Sequence, residues 1–353
     1  MKLFSSIIGQ EVAKKILRRS FEEQRLAQSY LFYGPSGVGK EMAAFELAQA
    51  LNCTGVEAPC GACSQCQKTV EFNHPDLHYV FPVPHPSGES DKKKLAEEIA
   101  ELLAQKAEKP YLALDFDRPV AITIDDIRVL QAKLSLQPYQ GRKKVVIIVR
   151  PEAMTTEAAN AFLKTLEEPS PTTNFILVCD KPNALLSTIL SRCQKIRFMR
   201  LDKAAVIQTL EERHGLAPAQ AKMLASLSQG SLGQALEMMD LDLLEERRMA
   251  GDLLRAGLEK KYAEMMEAID LATGEKGRPQ RVLELMSAIA LEALHPEPQA
   301  SPEILSLARL LTEPQLNRIT ANMELARTAL SRNVTPRLCL MAACSPDIIK
   351  EEL

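Results

Sequence analysis

The sequence predicts an α/β domain built on a doubly wound parallel sheet, followed by two helical segments, and three observations carry that expectation. Up to about residue 200, short β-rich runs alternate with helical stretches, the pattern of a parallel sheet covered by helices. A glycine-rich phosphate loop, Gly34-Pro35-Ser36-Gly37-Val38-Gly39-Lys40, joins the first such strand to a helix. Beyond Arg200 the strand signal ends, and Ala, Leu, Met, Glu and Gln dominate.

The first strand is Tyr30–Tyr33, and Met42, Leu47 and Leu51 mark the helix after the loop. Glycines let successive backbone N–H groups converge on phosphate oxygens at a helix N-terminus, and the lysine adds positive charge. In a loop that turns nucleotide over, the next residue is a Ser or Thr that coordinates Mg²⁺. Here it is Glu41. The cradle of Gly34, Gly37, Gly39 and Lys40 is present without its metal ligand, so the residues leave ATP binding open and weaken the case for hydrolysis.

Cys60-Gly61-Ala62-Cys63-Ser64-Gln65-Cys66 contains two overlapping C-x-x-C steps, with Cys53 seven residues upstream. Four thiolates close a tetrahedral shell, so Cys53, Cys60, Cys63 and Cys66 predict a structural Zn²⁺ module over residues 53–66. A redox dithiol is the competing expectation, but a closed shell leaves no open position for chemistry. His74 and His78 lie nearby and read as packing or surface histidines.

Further strands are expected at Leu77–Phe81, Lys144–Val149, Asn174–Cys179 and Lys195–Phe198. Between the first two of these, Asp91 to Lys109 is charged, with Leu95, Ile99, Leu102 and Leu103 on one face, and predicts an inserted, solvated helix. Ala159, Phe162, Leu163 and Leu166 recur at helical spacing until Pro169. A hydrolysing loop-type ATPase carries metal-holding and water-polarising acids at the end of such a strand as Lys144–Val149. This one runs instead into Arg150-Pro151-Glu152. Glu152 follows a proline that redirects the backbone, which predicts a surface or helix-start role. In the helical part, breaks at 215–218, 230, 274–279 and 296–302 divide a small domain ending near residue 241 from a bundle that runs on to residue 353.

At 353 residues, two or three domains are expected. A net charge of −3 argues against autonomous tight binding to nucleic acid. Trp is absent and aromatics make up 5%, which also disfavours base-stacking platforms. The first residues are too short and too polar for a signal peptide or membrane span, so a cytoplasmic, reducing setting is expected, and there the cysteine cluster reads as a metal site.

Several motifs occur in one order: Phe4-Ser5-Ser6-Ile7-Ile8-Gly9-Gln10, the phosphate loop, the four cysteines, His74-Pro75-Asp76, Asn160 through Pro169, and Ser191-Arg192-Cys193. Near the end stands Asn333-Val334-Thr335-Pro336-Arg337-Leu338. Together they resemble the clamp-loader subunits of bacterial DNA polymerase III over nearly the whole chain, save an insert around residues 86–118. The resemblance implies an AAA+ architecture: an α/β module over 1–200 with a five-stranded parallel sheet, a helical lid over 201–241 and an all-α collar over 242–353 that assembles a five-subunit ring. It implies that Arg192 is an arginine finger reaching a neighbour's ATP site, where its forked guanidinium neutralises a transferring phosphoryl group. Hydrolysing members of the family carry acids at the positions of Val149 and Arg150, a polar sensor near Cys179 or Asp180, and an arginine at Gly233. None is retained, which points to the delta-prime type rather than to the gamma or tau motor type.

The expected partners are gamma/tau-type motor subunits and a delta-type subunit in a hetero-pentameric ring, with sliding clamp and primed DNA contacted through that complex. Two alternatives stand beside this. In one the chain is itself an active motor ATPase, with Glu41 and Glu152 replacing the missing ligands. In the other it is a zinc-bearing nucleic-acid-binding protein.

Overall fold

The computed structural model describes residues 3–241, 243–275, 277–294, 302–332 and 334–344. The predicted break at 296–302 lies, up to residue 301, outside the described residues, as does Asn333. The chain forms two compact units, Met1–Glu237 and Met238–Leu353.

The first unit is organised by strands β1 (Ser29–Tyr33), β2 (Leu77–Val80), β3 (Val83–Pro84), β4 (Val120–Ala121), β5 (Lys144–Val149), β6 (Thr173–Cys179) and β7 (Gln194–Arg197). Among the described residues, the five predicted strands form one parallel sheet in the order β2-β5-β6-β1-β7. Its helices are α1 (Glu11–Glu22), α2 (Lys40–Asn52), α3 (Ser64–Val70), α4 (Glu89–Glu108), α5 (Ile124–Leu134), α6 (Thr156–Glu167) and α7 (Ser187–Arg192), followed by α8 (Lys203–His214), α9 (Pro218–Leu227) and α10 (Leu232–Glu237). This is the α/β module with a five-stranded parallel sheet that the sequence predicts.

Strand side chains alternate between two cores because successive residues point to opposite faces. Tyr30, Phe32, Val145, Ile147, Ile176 and Val178 pack with Ala43, Ala44 and Leu47 of α2. On the other face Leu31, Val146, Ile148, Phe175 and Leu177 pack with Ile127 of α5 and Phe162 of α6. With both faces covered, Val145–Ile148 is an unbroken buried apolar run, as parallel sheets require.

A pairing not expected from sequence is antiparallel, with Val83 against Ala121 and Pro84 against Val120. It pins the two ends of the segment 85–119. Within that segment α4 is largely solvated as predicted, except that Leu95 and Lys106 are buried. The burial of a lysine in so polar a helix departs from the amphipathic expectation, and its cause lies in the site below.

Asp76 is a polar residue that the sheet needs. It is 1% exposed, and its carboxylate accepts from the amides of Tyr139 (2.6 Å), Gln140 (2.7 Å) and Gly141 (2.7 Å) in the turn before β5. Burial pushes its carboxyl up, but those three donors more than offset it and hold the pKa below the usual carboxylate range. The edge strand β2 is thereby fixed to the strand it pairs with.

The second unit contains α11 (Leu243–Leu258), α12 (Tyr262–Ala272), α13 (Arg278–Leu294), α14 (Pro302–Leu310), α15 (Glu313–Ser331) and α16 (Pro336–Cys344). Leu253, Ile269, Val282, Leu285, Ile289, Leu307 and Leu340 are buried in it. Glu246 is buried too, and both of its oxygens accept from the Arg281 guanidinium, at 2.8 and 2.5 Å.

Replacing Asp76 by Ala removes the buried carboxylate that accepts from the amides of Tyr139, Gln140 and Gly141 and is expected to cost about 3 kcal/mol. A lower urea midpoint for the α/β unit checks it. Asp76→Asn, which keeps one acceptor oxygen, should lose less, and an unchanged midpoint in both variants rules the anchor out.

Candidate functional site

The phosphate loop lies between β1 and α2, with Gly34, Gly37 and Gly39 all at positive φ (146°, 70° and 97°). Parallel pairing sets Tyr33 beside Cys179, and the Gly34 amide donates to the Cys179 carbonyl at 3.3 Å. That register delivers the next residue of β6's exit, Asp180, to the loop.

Lys40 is 4% exposed. Its ammonium makes an ion pair with Asp180 at 2.7 Å, donates to the Gly34 carbonyl at 2.9 Å, and also donates to the Pro35 carbonyl. Three donors thus meet three acceptors inside the protein. The Gly37 carbonyl accepts from the Gly233 amide at 2.9 Å, so the start of α10 rests on the loop backbone. A Cβ at Gly233 would come within 2.8 Å of the Gly37 Cα, and one at Gly37 within 2.2 Å of the Ser231 hydroxyl oxygen. Close approach of two backbones, rather than loss of a basic side chain alone, requires glycine at 233.

A cavity of about 320 Å³ is left beside the loop, walled by Lys40, Glu41, Tyr79, Tyr111, Asp180 and Arg150 among others. Glu41 accepts from the Tyr79 hydroxyl and makes an ion pair with Lys106 at 3.2 Å. Burial and the Glu41 charge push the Tyr79 phenol well up, so it stays a donor. Glu152 faces elsewhere: one carboxylate oxygen accepts from the amides of Asp180 (3.2 Å) and Lys181 (3.3 Å). The two acids of the motor alternative therefore have separate structural partners. Val149 and Arg150 line the cavity where the hydrolysing acids are expected. A magnesium nucleotide does not fit this donor set, because the lysine is already neutralised, no hydroxyl follows it, and the carboxylate in that place is already matched to a cation.

The cysteine prediction is met geometrically. One sulfur from each of Cys53, Cys60, Cys63 and Cys66 lies within 4.8 Å of the others, with Cys63 and Cys53 4.0 Å apart. Tetrahedral Zn–S bonds set sulfurs roughly 3.8 Å apart, so the cluster matches a metal's shell. The Gly55 and Cys60 amides each donate to the Cys53 sulfur at 3.3 Å, and the Cys63 amide to the Cys60 sulfur at 3.3 Å. Burial opposes ionisation of Cys63, but hydrogen bonds from Thr54 and the Cys66 amide bring it down to about 5, while burial pushes Cys66 up to about 12.

Neither histidine joins that cluster. The buried His74 Nδ1 accepts from the Asp76 amide at 3.0 Å. Burial lowers the pKa of both, His78 to about 4.

Arg192 ends α7 at the surface, donating to the Thr188 carbonyl at 2.9 Å and pairing with Glu167, the last residue of α6, at 2.6 Å. Cys193 is buried and its thiol is pushed up to about 11, as a packed core thiol requires.

Asp180 and Lys106 were missed as partners of the loop. For Asp180 a signal exists, since it directly follows the strand that pairs with β1. For Lys106 there is none, because its partner is 65 positions away and its helix is otherwise solvated.

A family model for the DNA polymerase III delta subunit matches residues 9–202. The subunit delta' of Bacillus subtilis is 34% identical over 66% of this chain and 60% of its own length. That of Pseudomonas aeruginosa is 31% identical over 73% of this chain and 68% of its own. The subunit tau of Escherichia coli is 28% identical over 94% of this chain and 48% of its own, so the chain spans between about half and two thirds of these relatives.

Lowering the pH from 6.5 toward 4 is expected to destabilise the α/β unit. In that window the unfolded chain protonates His74 and His78 more readily than the folded state, where both pKa values are lowered, so stability is present above 6.5 and lost as the pH falls. Thermal midpoints measured across that window check the sign; His78→Gln should flatten the slope.

Proposed function

Because the chain belongs to the DNA polymerase III delta-subunit family, we propose that it serves as a delta-prime-type clamp-loader subunit that does not hydrolyse ATP and supplies Arg192 to a neighbouring subunit's ATP site. The observation that carries this is the state of Lys40, whose ammonium is neutralised by Asp180 and by two carbonyls of its own loop. A motor subunit needs that charge for the nucleotide. The tau relative matches more of the chain than the delta' relatives do, at lower identity, so the comparisons alone do not separate the types. The partners of Lys40, Glu41, Glu152 and Gly233 favour the non-hydrolysing one.

In this proposal Gly34, Gly37, Gly39 and Lys40 are retained to shape the junction of β1 and α2. Residues 1–200 act as the AAA+ module, 201–241 as the lid and 242–353 as the collar of a ring with motor and delta-type subunits, which places the sliding clamp on primed DNA. Cys53, Cys60, Cys63 and Cys66 hold structural Zn²⁺, which fixes the turn between α2 and α3. Clustered free thiols suit a reducing cytoplasm. Among the described residues no helix is long and apolar enough to cross a membrane.

Metal analysis of the purified chain should find about one zinc per chain. Cys60→Ser should lower that occupancy, and a chelator should expose residues 53–70 to proteolysis while the sheet's circular dichroism persists. Retention of full stability and protease resistance in metal-free protein would exclude a structural zinc.

Arg192→Ala, assembled with motor subunits, should reduce the loader's DNA-stimulated ATPase by about tenfold or more. Gel filtration should show the ring intact. A normal ATPase rate in an intact ring would rule the finger out.

A further inference from the structure

Lys106 is a lysine buried to 2% exposure on a helix whose other charges are nearly all in water. Burial of an ammonium costs several kcal/mol unless it is paired and hydrogen-bonded. Its Nζ meets the Glu41 carboxylate at 3.2 Å, the Leu112 carbonyl at 2.5 Å and the Pro110 carbonyl at 3.4 Å. All three donors are therefore directed at the residue after the phosphate-loop lysine and at the chain that follows α4.

That following chain enters the loop. A Cβ built on Gly39 would meet the Tyr111 hydroxyl oxygen at 3.4 Å, and one built on Gly233 would meet the Tyr111 carbonyl at 3.5 Å. Tyr111 thus stands between the phosphate loop and the start of α10. Its hydroxyl is buried without a hydrogen-bond partner among the described residues, and burial pushes its pKa up to about 12. The segment is held in place at its base by the β3–β4 pairing and along α4 by Arg118, which reaches Asp91 (3.0 Å) and Glu98 (3.2 Å).

We propose that the insert is an intramolecular latch, in which the Lys106 ammonium and the Tyr111 ring close the phosphate loop against nucleotide. Lys106 supplies at Glu41 the positive charge that a metal ion supplies in a hydrolysing loop. A carboxylate at 41, which repels phosphate when alone, is then the partner of a buried ammonium. Restoring a hydroxyl at 41 does not reopen the loop, because Tyr111 and Gly233 still cover it.

The latch deepens the non-hydrolysing reading of the loop. It is tested on the isolated full chain, so its failure is distinguishable from failure of the Arg192 role, which only the assembled loader reports. Hydrogen exchange of amides 36–41 is measured in wild type, Lys106→Met, Glu41→Gln and the double variant. Lys106→Met should speed exchange of those amides by about tenfold, and the double variant should recover most of that change, as paired groups do. Additive effects of the two substitutions, or exchange unchanged in Lys106→Met, would overturn the latch. Fluorescent ATP with Mg²⁺ is the binding probe. Wild type and Glu41→Thr should show no saturable binding, whereas Glu41→Thr with Lys106→Met and Tyr111→Ala should bind at least about tenfold more tightly than either. Equal binding by Glu41→Thr and the triple variant would also overturn it.

Discussion

A buried ammonium has to be neutralised where it stands, and the architecture around the phosphate loop follows from how this is done for Lys40. The positive-φ glycines direct the chain so that its Nζ turns back on the Gly34 and Pro35 carbonyls. The third acceptor comes from Asp180, which the β1–β6 register sets beside the loop. With its donors matched internally, the loop needs no phosphate to be electrostatically complete. A compact backbone then accepts the Gly233 amide, and α10 rests on it.

The same site contains a second closed pair, Lys106 with Glu41. Two ammoniums and two carboxylates meet in a space where a working ATPase brings phosphates and a metal to one lysine. The substitution pattern is coherent on these terms. Glu41 is compatible with Lys106, Gly233 with the Gly37 backbone, and Glu152 with the amides at the exit of β6. Glu41, Gly233 and Glu152 thus each have a structural partner here.

How much of this was legible depended on whether the signal was local. The sheet was, because two-sided burial turns Val145–Ile148 and Phe175–Val178 into apolar runs that sequence alone displays. The cysteine cluster was, because C-x-x-C spacing is itself the geometry of two ligands on one ion. The absences at 41, 149, 150 and 233 were visible, but what replaced them was not. Asp180 acts across a strand pair, Asp76 on a turn more than sixty residues on, and Lys106 across an insert whose base is a two-residue pairing too short to predict. The helix of the insert was foreseen as solvated, and it is, apart from Leu95 and the turn that carries Lys106.

Arg192 shows the opposite economy of charge. Its partner Glu167 and its own side chain are both substantially exposed, at 48% and 34%. A pair in that setting contributes about 0–1 kcal/mol, since water screens it and competes for both groups. Such a contact orients the guanidinium at the end of α7 without committing it, and among the described residues two of its nitrogens have partners. Under the proposed role, exchange of Glu167 for a neighbour's phosphates gives up little and gains charge-assisted bonds in a drier site. Lys40, itself buried, would have to leave Asp180 and two carbonyls of its own loop to reach a phosphate. The chain keeps the charge that is cheap to release at its surface and locks the other inside, which is the distribution expected of a subunit acting on its neighbour's nucleotide.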